Sequence, residues 1–376
     1  MKRRDAILRF AAAGAAMAFP AARAEAGRIV LGQSAAFTGP ASALGEQFKK
    51  GAQLLFDRVN AHGGIGGRTI ELQSLDDGYE PDRCAANTKK LIDSGVFALF
   101  GYIGTPTSLA ALPLATAAKM PFVGPFTGAE ALRTPFNRYA FHVRASYFDE
   151  TAEIVKQLTA VGIKRIGVFY QNDSYGKAGL AGVTRALKPL GLEPAGLGTV
   201  ERNTAAVDEA VKSLLASKPD AIVQISAYRS CAAFIRAARK AGFGGTFYNV
   251  SFVGTQALAQ ELGADARGVV VSQVMPYPYT PATALAGEYL AAGKAAAGDK
   301  FDPNYSSIEG YVAAKTLVEG LRRAGSKLTP DTLIAGLESL HELNLGGFFV
   351  DFGAQKHTGS KFVDLTILTA DGRVRR

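Results

Sequence analysis

The sequence predicts an α/β protein built from two doubly wound units. Three observations lead to this fold class: apolar runs of strand length alternate with helical segments, the alternation forms two successive series, and 376 residues are enough for two cores. Repeated strand–helix connections favour parallel sheets with right-handed crossovers. The composition, 48% hydrophobic and 20% charged, is that of a globular protein.

The first series places each strand before a helix. Gly63 and Gly64 end its first helix with a C-cap signal, and Asp76, Asp77 and Gly78 form a turn after its second strand. Strands are expected at 28–33, 69–75, 97–100 and 121–125, and helices at 45–61, 81–94 and 105–118.

The second series begins near residue 146 and is followed by a helical return. Strands are expected at 165–170, 195–200, 221–225, 246–250 and 268–274, with helices at 150–161, 175–190, 207–217 and 228–241. Helices at 283–297, 305–324 and 330–340 and short strands at 347–351 and 362–368 complete the chain.

The stretch 97–133 contains the strongest candidate site. Thr105 is predicted to cap the helix after one strand, with Pro106 as its first residue, and Phe126-Thr127-Gly128 forms the loop that opens another helix after the next strand. Ligands of open α/β sheets bind outside such strand ends, and a helix N-terminus favours a negative group. These residues predict a carboxylate site, although ordinary turn chemistry explains them equally well.

The N-terminus has the pattern of a signal peptide. Lys2, Arg3 and Arg4 precede an apolar segment, and Ala22-Arg23-Ala24 offers a cleavage site, so residues 1–24 are expected to be removed. Arg3-Arg4 also fits a twin-arginine signal, but an ordinary secretory signal often carries two arginines. Removal would lower the net charge from +9 to +5, with 37 basic and 32 acidic residues left. The remaining basic residues form no stripe, so no nucleic-acid partner is expected.

Neither catalysis nor a bound metal is predicted. The four histidines share no metal-ligand spacing and are expected to be surface or cap residues. No nucleophile elbow or phosphate-binding loop occurs, and no cofactor is expected. Cys84 and Cys231, far apart in sequence, are expected to be free buried thiols. Four isolated ionisable residues could reach a cleft, although surface ion pairs are the simpler interpretation: Arg144, Asp149, Arg229 and Glu309.

Several segments together resemble one family. The stretch 59–72, VNAHGGIGGRTIEL, is similar to a conserved segment of the leucine/isoleucine/valine-binding family, the type I periplasmic solute-binding proteins of ABC importers. Phe37-Thr38-Gly39-Pro40 resembles its first binding loop, Asp173-Ser174-Tyr175-Gly176 its aromatic-Gly element, and 306–314 its late helix.

The resemblance implies two lobes joined by three crossovers, with a ligand cleft between them that closes about a hinge. Lobe 1 would comprise residues 27–143 and 275–347, and lobe 2 residues 144–274 and 348–376. It also implies a periplasmic monomer that delivers a small solute to a membrane permease and its ATPase. The alternative is a sensor of the same fold that signals to a membrane receptor, and an exported hydrolase would need a catalytic constellation that is not visible.

The resemblance also assigns ligand contacts. The carboxylate loops of lobe 1 match Gly104-Thr105 and Phe126-Thr127, and the aromatic covers of lobe 2 match Tyr175 and Tyr228. Ser251 stands where amino-acid-binding members carry the glutamate that holds the ligand's ammonium. Because a desolvated ammonium without a counter-charge is costly, either Asp149 or Glu309 supplies the charge or the ligand lacks an ammonium.

A second departure from the family concerns a disulfide. The paired cysteines of the amino-acid-binding members match Tyr79 and Gly104, so that lobe-1 bridge is expected to be lost.

Overall fold

The protein has two lobes, each centred on a mainly parallel sheet. The computed structural model describes residues 27–376. The predicted signal peptide, residues 1–24, lies outside this range. Among the residues described, no helix is both long and apolar enough to cross a membrane.

The first lobe contains a five-stranded parallel sheet in the order β2-β1-β3-β4-β5. Its longest pairing aligns β1 with β2 over eight residues, from Arg28 opposite Thr69 to Ala35 opposite Asp76. The elements are β1 (Arg28–Ala35), α1 (Ser42–Ala61), β2 (Thr69–Asp76), α2 (Pro81–Asp93), β3 (Ala98–Phe100), α3 (Thr105–Ala117), β4 (Phe122–Val123) and β5 (Ala140–Phe141).

The second lobe begins with alternating helices and strands. These are α4 (Tyr147–Ala160), β6 (Ile166–Gln171), α5 (Ser174–Leu187), β7 (Gly196–Val200), α6 (Asp208–Ala216), β8 (Ala221–Ile225), α7 (Tyr228–Lys240), β9 (Thr246–Asn249), α8 (Thr255–Leu262) and β10 (Val270–Gln273). The chain then forms α9 (Ala284–Ala297), α10 (Tyr305–Arg323), α11 (Pro330–Glu338) and the hairpin β11 (Leu343–Asn344) and β12 (Phe349–Val350). It returns to the second sheet as β13 (Asp364–Leu368) and β14 (Val374–Arg375).

The second sheet has the order β14-β13-β10-β9-β8-β6-β7. The pairings from β10 to β7 are parallel, whereas β13 and β14 add antiparallel strands at one edge. Both lobes therefore present strand ends in the doubly wound arrangement that the sequence predicts.

Two glycines let α10 pack closely against α1. A Cβ atom on Gly51 would lie 1.7 Å from the carbonyl oxygen of Ser307, and one on Gly310 would lie 2.0 Å from that of Phe48. Only glycine permits such backbone contact, so the late helix is fixed to the first lobe.

Some predicted elements differ from the observed ones. The loop at 126–128 leads into a short 3₁₀ turn, Glu130–Leu132, and not into a full helix. Helix α8 and the short strands β5, β11 and β14 were not predicted. Two- or three-residue strands carry too little periodicity to be recognised without their partners.

The prediction that all four histidines lie at the surface or at caps is wrong for two of them. His142 and His357 are 2% and 5% exposed, because their chain segments pack against each other. The His142 N–H donates to the His357 carbonyl at 2.8 Å, and the His357 ring stacks 3.8 Å from the ring of Phe141. Burial lowers the pKa of His142, so its ring is neutral. Cys84 and Cys231 are free and buried, as predicted.

Candidate functional site

Two threonines form one wall of the cleft, at the ends of β3 and β4. Thr105 and Thr127 are both fully buried, and their Oγ1 atoms lie 2.7 Å apart. The predicted cap is wrong by one residue: Gly104 is the N-cap of α3, with φ of +97°, and Thr105 is the first helical residue. A Cβ at position 104 would lie 2.2 Å from Cε2 of Tyr79, so glycine is needed there. The result is a pair of hydroxyls at a helix N-terminus, where a negative group is favoured.

Aromatic rings from both lobes meet at Phe252, which follows β9. Its ring centroid lies 5.5 Å from that of Phe126 and 5.8 Å from that of Tyr79, both in the first lobe. In its own lobe it lies 4.6 Å from the Tyr175 ring, which is 5.4 Å from the Tyr147 ring. We call these five residues the aromatic cluster. Phe126 and Tyr175 were predicted site residues, whereas the other three were not identified.

Two hydroxyls of the aromatic cluster are buried without a hydrogen bond of normal geometry. Among residues 27–376, neither the Tyr147 nor the Tyr175 oxygen has such a partner. Burial raises the pKa of Tyr147 to about 12 and the pKa of Tyr175 well above its ordinary value, so both are neutral donors. Buried polar groups are nearly always partnered, which makes this pair a candidate for ligand contact.

Tyr228, the other predicted aromatic cover, bridges the lobes. It begins α7 and is 4% exposed, and its hydroxyl oxygen lies 3.5 Å from the backbone nitrogen of Ala43 in α1. This contact between Tyr228 and α1 forms only when the lobes are close together.

Arg144 lies at the centre of a buried charged group, with Ser251 beside it. Arg144 Nη2 lies 3.2 Å from Oε1 of Glu150, and Nη1 lies 3.4 Å from Oε1 of Glu309. Nη2 also contacts the Ser251 hydroxyl. Because Arg144 and Glu309 are only 1% and 5% exposed, surface ion pairing is wrong for both residues.

The charges of this group depend on its burial. Burial raises the pKa of Glu309 to about 7, although Arg144 opposes the rise. Burial lowers the pKa of Arg144, but the carboxylates of Glu309 and Glu150 outweigh it, and the net shift is upward. The guanidinium therefore stays charged, while Glu309 titrates near neutral pH.

Asp149 and Arg229 lie outside this group. The Asp149 carboxylate accepts hydrogen bonds from the Ser146 backbone and hydroxyl at 2.9 and 2.8 Å, which completes a capping box at α4. Arg229 forms a surface ion pair with Glu261 at 3.3 Å, as predicted. Of the two candidate acids for an ammonium, only Glu309 lines the same cavity as Ser251.

The rim of the cleft is closed by polar contacts between the lobes. Arg202 Nη2 lies 2.9 Å from Oε2 of Glu80, and the Asn203 side chain donates to Glu80 and to the Gly78 carbonyl at 2.7 and 3.0 Å. We call these four residues the rim latch.

A single cleft thus combines hydroxyls at a helix N-terminus, an aromatic cluster and a buried cation, with contributions from two α/β lobes. Among residues 27–376 no group of His, Cys, Asp or Glu is arranged to hold a metal ion. This architecture defines a two-lobed solute-binding protein.

A comparison with known protein families supports this class of protein. Residues 28–373 match the family model described as periplasmic binding protein, and the chain belongs to that family.

Similar proteins match over nearly their whole length. The Leu/Ile/Val-binding protein homolog 8 of Brucella suis biovar 1 is 26% identical, covering 91% of this chain and 89% of the relative. The crystal structure of a possible leucine/isoleucine/valine-binding protein from Rhodopirellula baltica is 35% identical, with a TM-score of 0.88, covering 93% of this chain and 96% of that one. A substrate-binding periplasmic protein from Ralstonia solanacearum is 33% identical, with a TM-score of 0.87, covering 92% and 99%.

Proposed function

We propose that this protein binds a small carboxylate-bearing solute between its lobes and delivers it to the permease and ATPase of an ABC importer. The main support is the pair of buried hydroxyls of Thr105 and Thr127 at the N-terminus of α3, together with the second lobe's buried Tyr147 and Tyr175 hydroxyls, which have no hydrogen bond of normal geometry within residues 27–376. The names of the Brucella and Rhodopirellula relatives support a family of solutes that includes leucine, isoleucine and valine.

Each part of the cleft has a role in this proposal. One of the Thr105 and Thr127 hydroxyls donates to the other, so the remaining O–H donates to the carboxylate, with the dipole of α3 behind it. Tyr175 and Tyr228 cover the solute, because aromatic rings give large contact area with few torsions to fix. Phe126 and Ser251 line the far side.

Binding would be coupled to lobe closure. The predicted lobe limits, 27–143 with 275–347 and 144–274 with 348–376, are part of the proposal, as is export to the periplasm through a signal peptide at 1–24. A solute that contacts both lobes favours the closed state over the open one, since it gains its full set of contacts only there. The closed state is what a permease would recognise.

The test compares acids with their amides. Protein starting at Glu25, stripped of bound solute by unfolding and refolding, is titrated by calorimetry with amino acids, 2-oxo acids, aromatic acids and the corresponding amides. Carboxylates should bind, and their amides should bind at least about tenfold more weakly, because a hydrogen bond to a charged group contributes roughly 1.5–3 kcal/mol.

Thr105→Val should weaken carboxylate binding by a similar factor, about tenfold or more, because it removes one of the two hydroxyls. Thr88→Val is the matched control, because Thr88 is also fully buried in the first lobe but donates to the Cys84 carbonyl, away from α3. Equal affinity for acids and amides, or equal effects of the two valine variants, would contradict the proposal.

A further inference from the structure

Arg144 is a buried cation only part of whose hydrogen-bonding capacity is used. Its Nη2 atom donates to Glu150 and contacts Ser251. Its Nε and Nη1 atoms have no hydrogen bond within residues 27–376, and the 3.4 Å approach of Nη1 to Glu309 lacks hydrogen-bond alignment. A guanidinium has five N–H donors, and leaving several of them unpaired in a buried site is costly.

The position of Arg144 connects it to the ligand cleft. Its guanidinium carbon lies 4.9 Å from the ring centroid of Phe126, which belongs to the loop that carries Thr127. Three of its neighbours, Phe126, Ser251 and Glu309, line one small cavity between the lobes. Arg144 itself does not line the cavity, so its unused donors lie behind these three residues, close to the loop of the proposed carboxylate site.

The carboxylates around Arg144 are already engaged. Glu150 accepts from the Ser251 backbone at 2.7 Å, from the Ser251 hydroxyl at 3.0 Å and from the Ser272 hydroxyl at 2.6 Å, as well as from Arg144. Glu309 faces the guanidinium and, with its pKa raised to about 7 by burial, is partly protonated at neutral pH. Neither group offers a free negative charge to a cation.

We infer that Arg144 determines which solutes bind, by donating to an acceptor group next to the ligand carboxylate, and that the preferred solutes are 2-oxo or 2-hydroxy acids and not α-amino acids. This inference rests on the proposed function. An ammonium has only donors and a positive charge, so it cannot pair with a guanidinium that also has only donors. A keto or hydroxyl oxygen of the solute, by contrast, accepts a hydrogen bond from Nε or Nη1 of Arg144 and gives these donors a partner.

The experiment measures a ratio of affinities. Calorimetry on the stripped protein compares each of leucine, valine, methionine and phenylalanine with its 2-oxo and 2-hydroxy acid. The wild type should bind at least one acid about tenfold or more tightly than the matching amino acid, the scale of one hydrogen bond to a charged group.

Variants then separate selectivity from folding. The double variant Arg144→Gln with Glu150→Gln leaves no unpaired charge between these two residues. It should bring the ratio of 2-oxo acid to amino acid affinity close to one, mainly by weakening the binding of the 2-oxo acid. Arg202→Gln in the rim latch is the control and should weaken both members of a pair by the same factor. Circular dichroism and the melting temperature establish that each variant is folded.

The outcomes separate the two ideas. Amino acids that bind as tightly as their 2-oxo acids, or a folded double variant that keeps the wild-type ratio, would overturn the inference and leave the proposed function standing. Absence of binding to every carboxylate in the panel would overturn the proposed function and the inference with it. If the double variant does not fold, the wild-type ratio alone decides.

Discussion

The Arg202 guanidinium of the second lobe lies 2.9 Å from the Glu80 carboxylate of the first, directly across the mouth of the cleft. Arg202 is also 3.3 Å from Asp173 in its own lobe, so carboxylates of both lobes hold the guanidinium. This pair joins two segments that are 122 residues apart in the chain.

Breaking the rim latch should favour the open state. We expect Arg202→Gln to weaken binding of every ligand about two- to fivefold, since partly exposed ion pairs contribute roughly 0.5–1 kcal/mol. Calorimetry gives the affinity, and small-angle X-ray scattering should show a larger radius of gyration without ligand. Arg236→Gln is the control, because its 3.3 Å pair with Asp265 lies on the surface of one lobe. Equal effects of the two variants would contradict a role in closure.

The two covering tyrosines should contribute to binding through their rings. Tyr175→Ala and Tyr228→Ala should each weaken binding by about 1–3 kcal/mol, the range of buried interface aromatics, without unfolding the protein. Tyr175→Phe keeps the ring and removes the hydroxyl, so it reports whether that unpartnered oxygen contacts the ligand. Wild-type affinity in both alanine variants would mean that the ligand lies elsewhere.

Ser251→Glu alone should not create an amino-acid site. The new carboxylate would face Arg144, which already contacts Ser251, and would pair with it. Combining Ser251→Glu with Arg144→Gln should leave the carboxylate free to hold an ammonium and shift preference towards amino acids. Calorimetry with leucine and its 2-oxo acid measures the shift. If Ser251→Glu alone gave the same preference for leucine as the double variant, Arg144 would not be involved.

Asp77 should make stability depend on pH in an unusual direction. Burial raises its pKa from 3.8 to about 6, so between about pH 4 and pH 6 the folded state holds a proton that the unfolded state releases. The contribution of Asp77 to the free energy of unfolding should therefore fall by up to about 3 kcal/mol as the pH rises through this window. Above the window this contribution should stay constant.

Asp77→Asn should remove this dependence. Urea unfolding of both proteins at several pH values would show the stability of the wild type relative to the variant falling from pH 4 to pH 6. A difference that stays constant with pH would show that Asp77 does not titrate in this range. The wild type alone is not sufficient, because other carboxylates titrate there too.

Local signals predicted one side of the cleft better than the other. Strand ends and turn residues were enough to bring Thr105 and Thr127 together, since parallel strands finish at the same edge of a sheet. The cap was misassigned because Gly104 adopts a positive φ that Tyr79 helps to enforce, and Tyr79 is 25 positions away in sequence.

The cross-lobe contacts could not be derived in this way. Arg144 meets Ser251 across 107 positions, and no local pattern distinguishes a buried arginine from a solvated one. Phe252 follows Ser251 directly in the sequence, but its contact with Phe126 depends on how the two lobes come together. The resemblance to a known family supplied the location of Tyr175 and Tyr228, and their ligand contacts remain a prediction.

The packing of Tyr79 on Gly104 bears on how the protein can be produced. An aromatic ring lies against a glycine at these two positions, and both of the protein's cysteines are free and buried elsewhere. The native structure therefore needs no oxidant and no disulfide isomerase to form. Protein lacking residues 1–24 should therefore fold unassisted in the reducing cytoplasm of an expression host and form the same contacts as it does in an oxidising compartment.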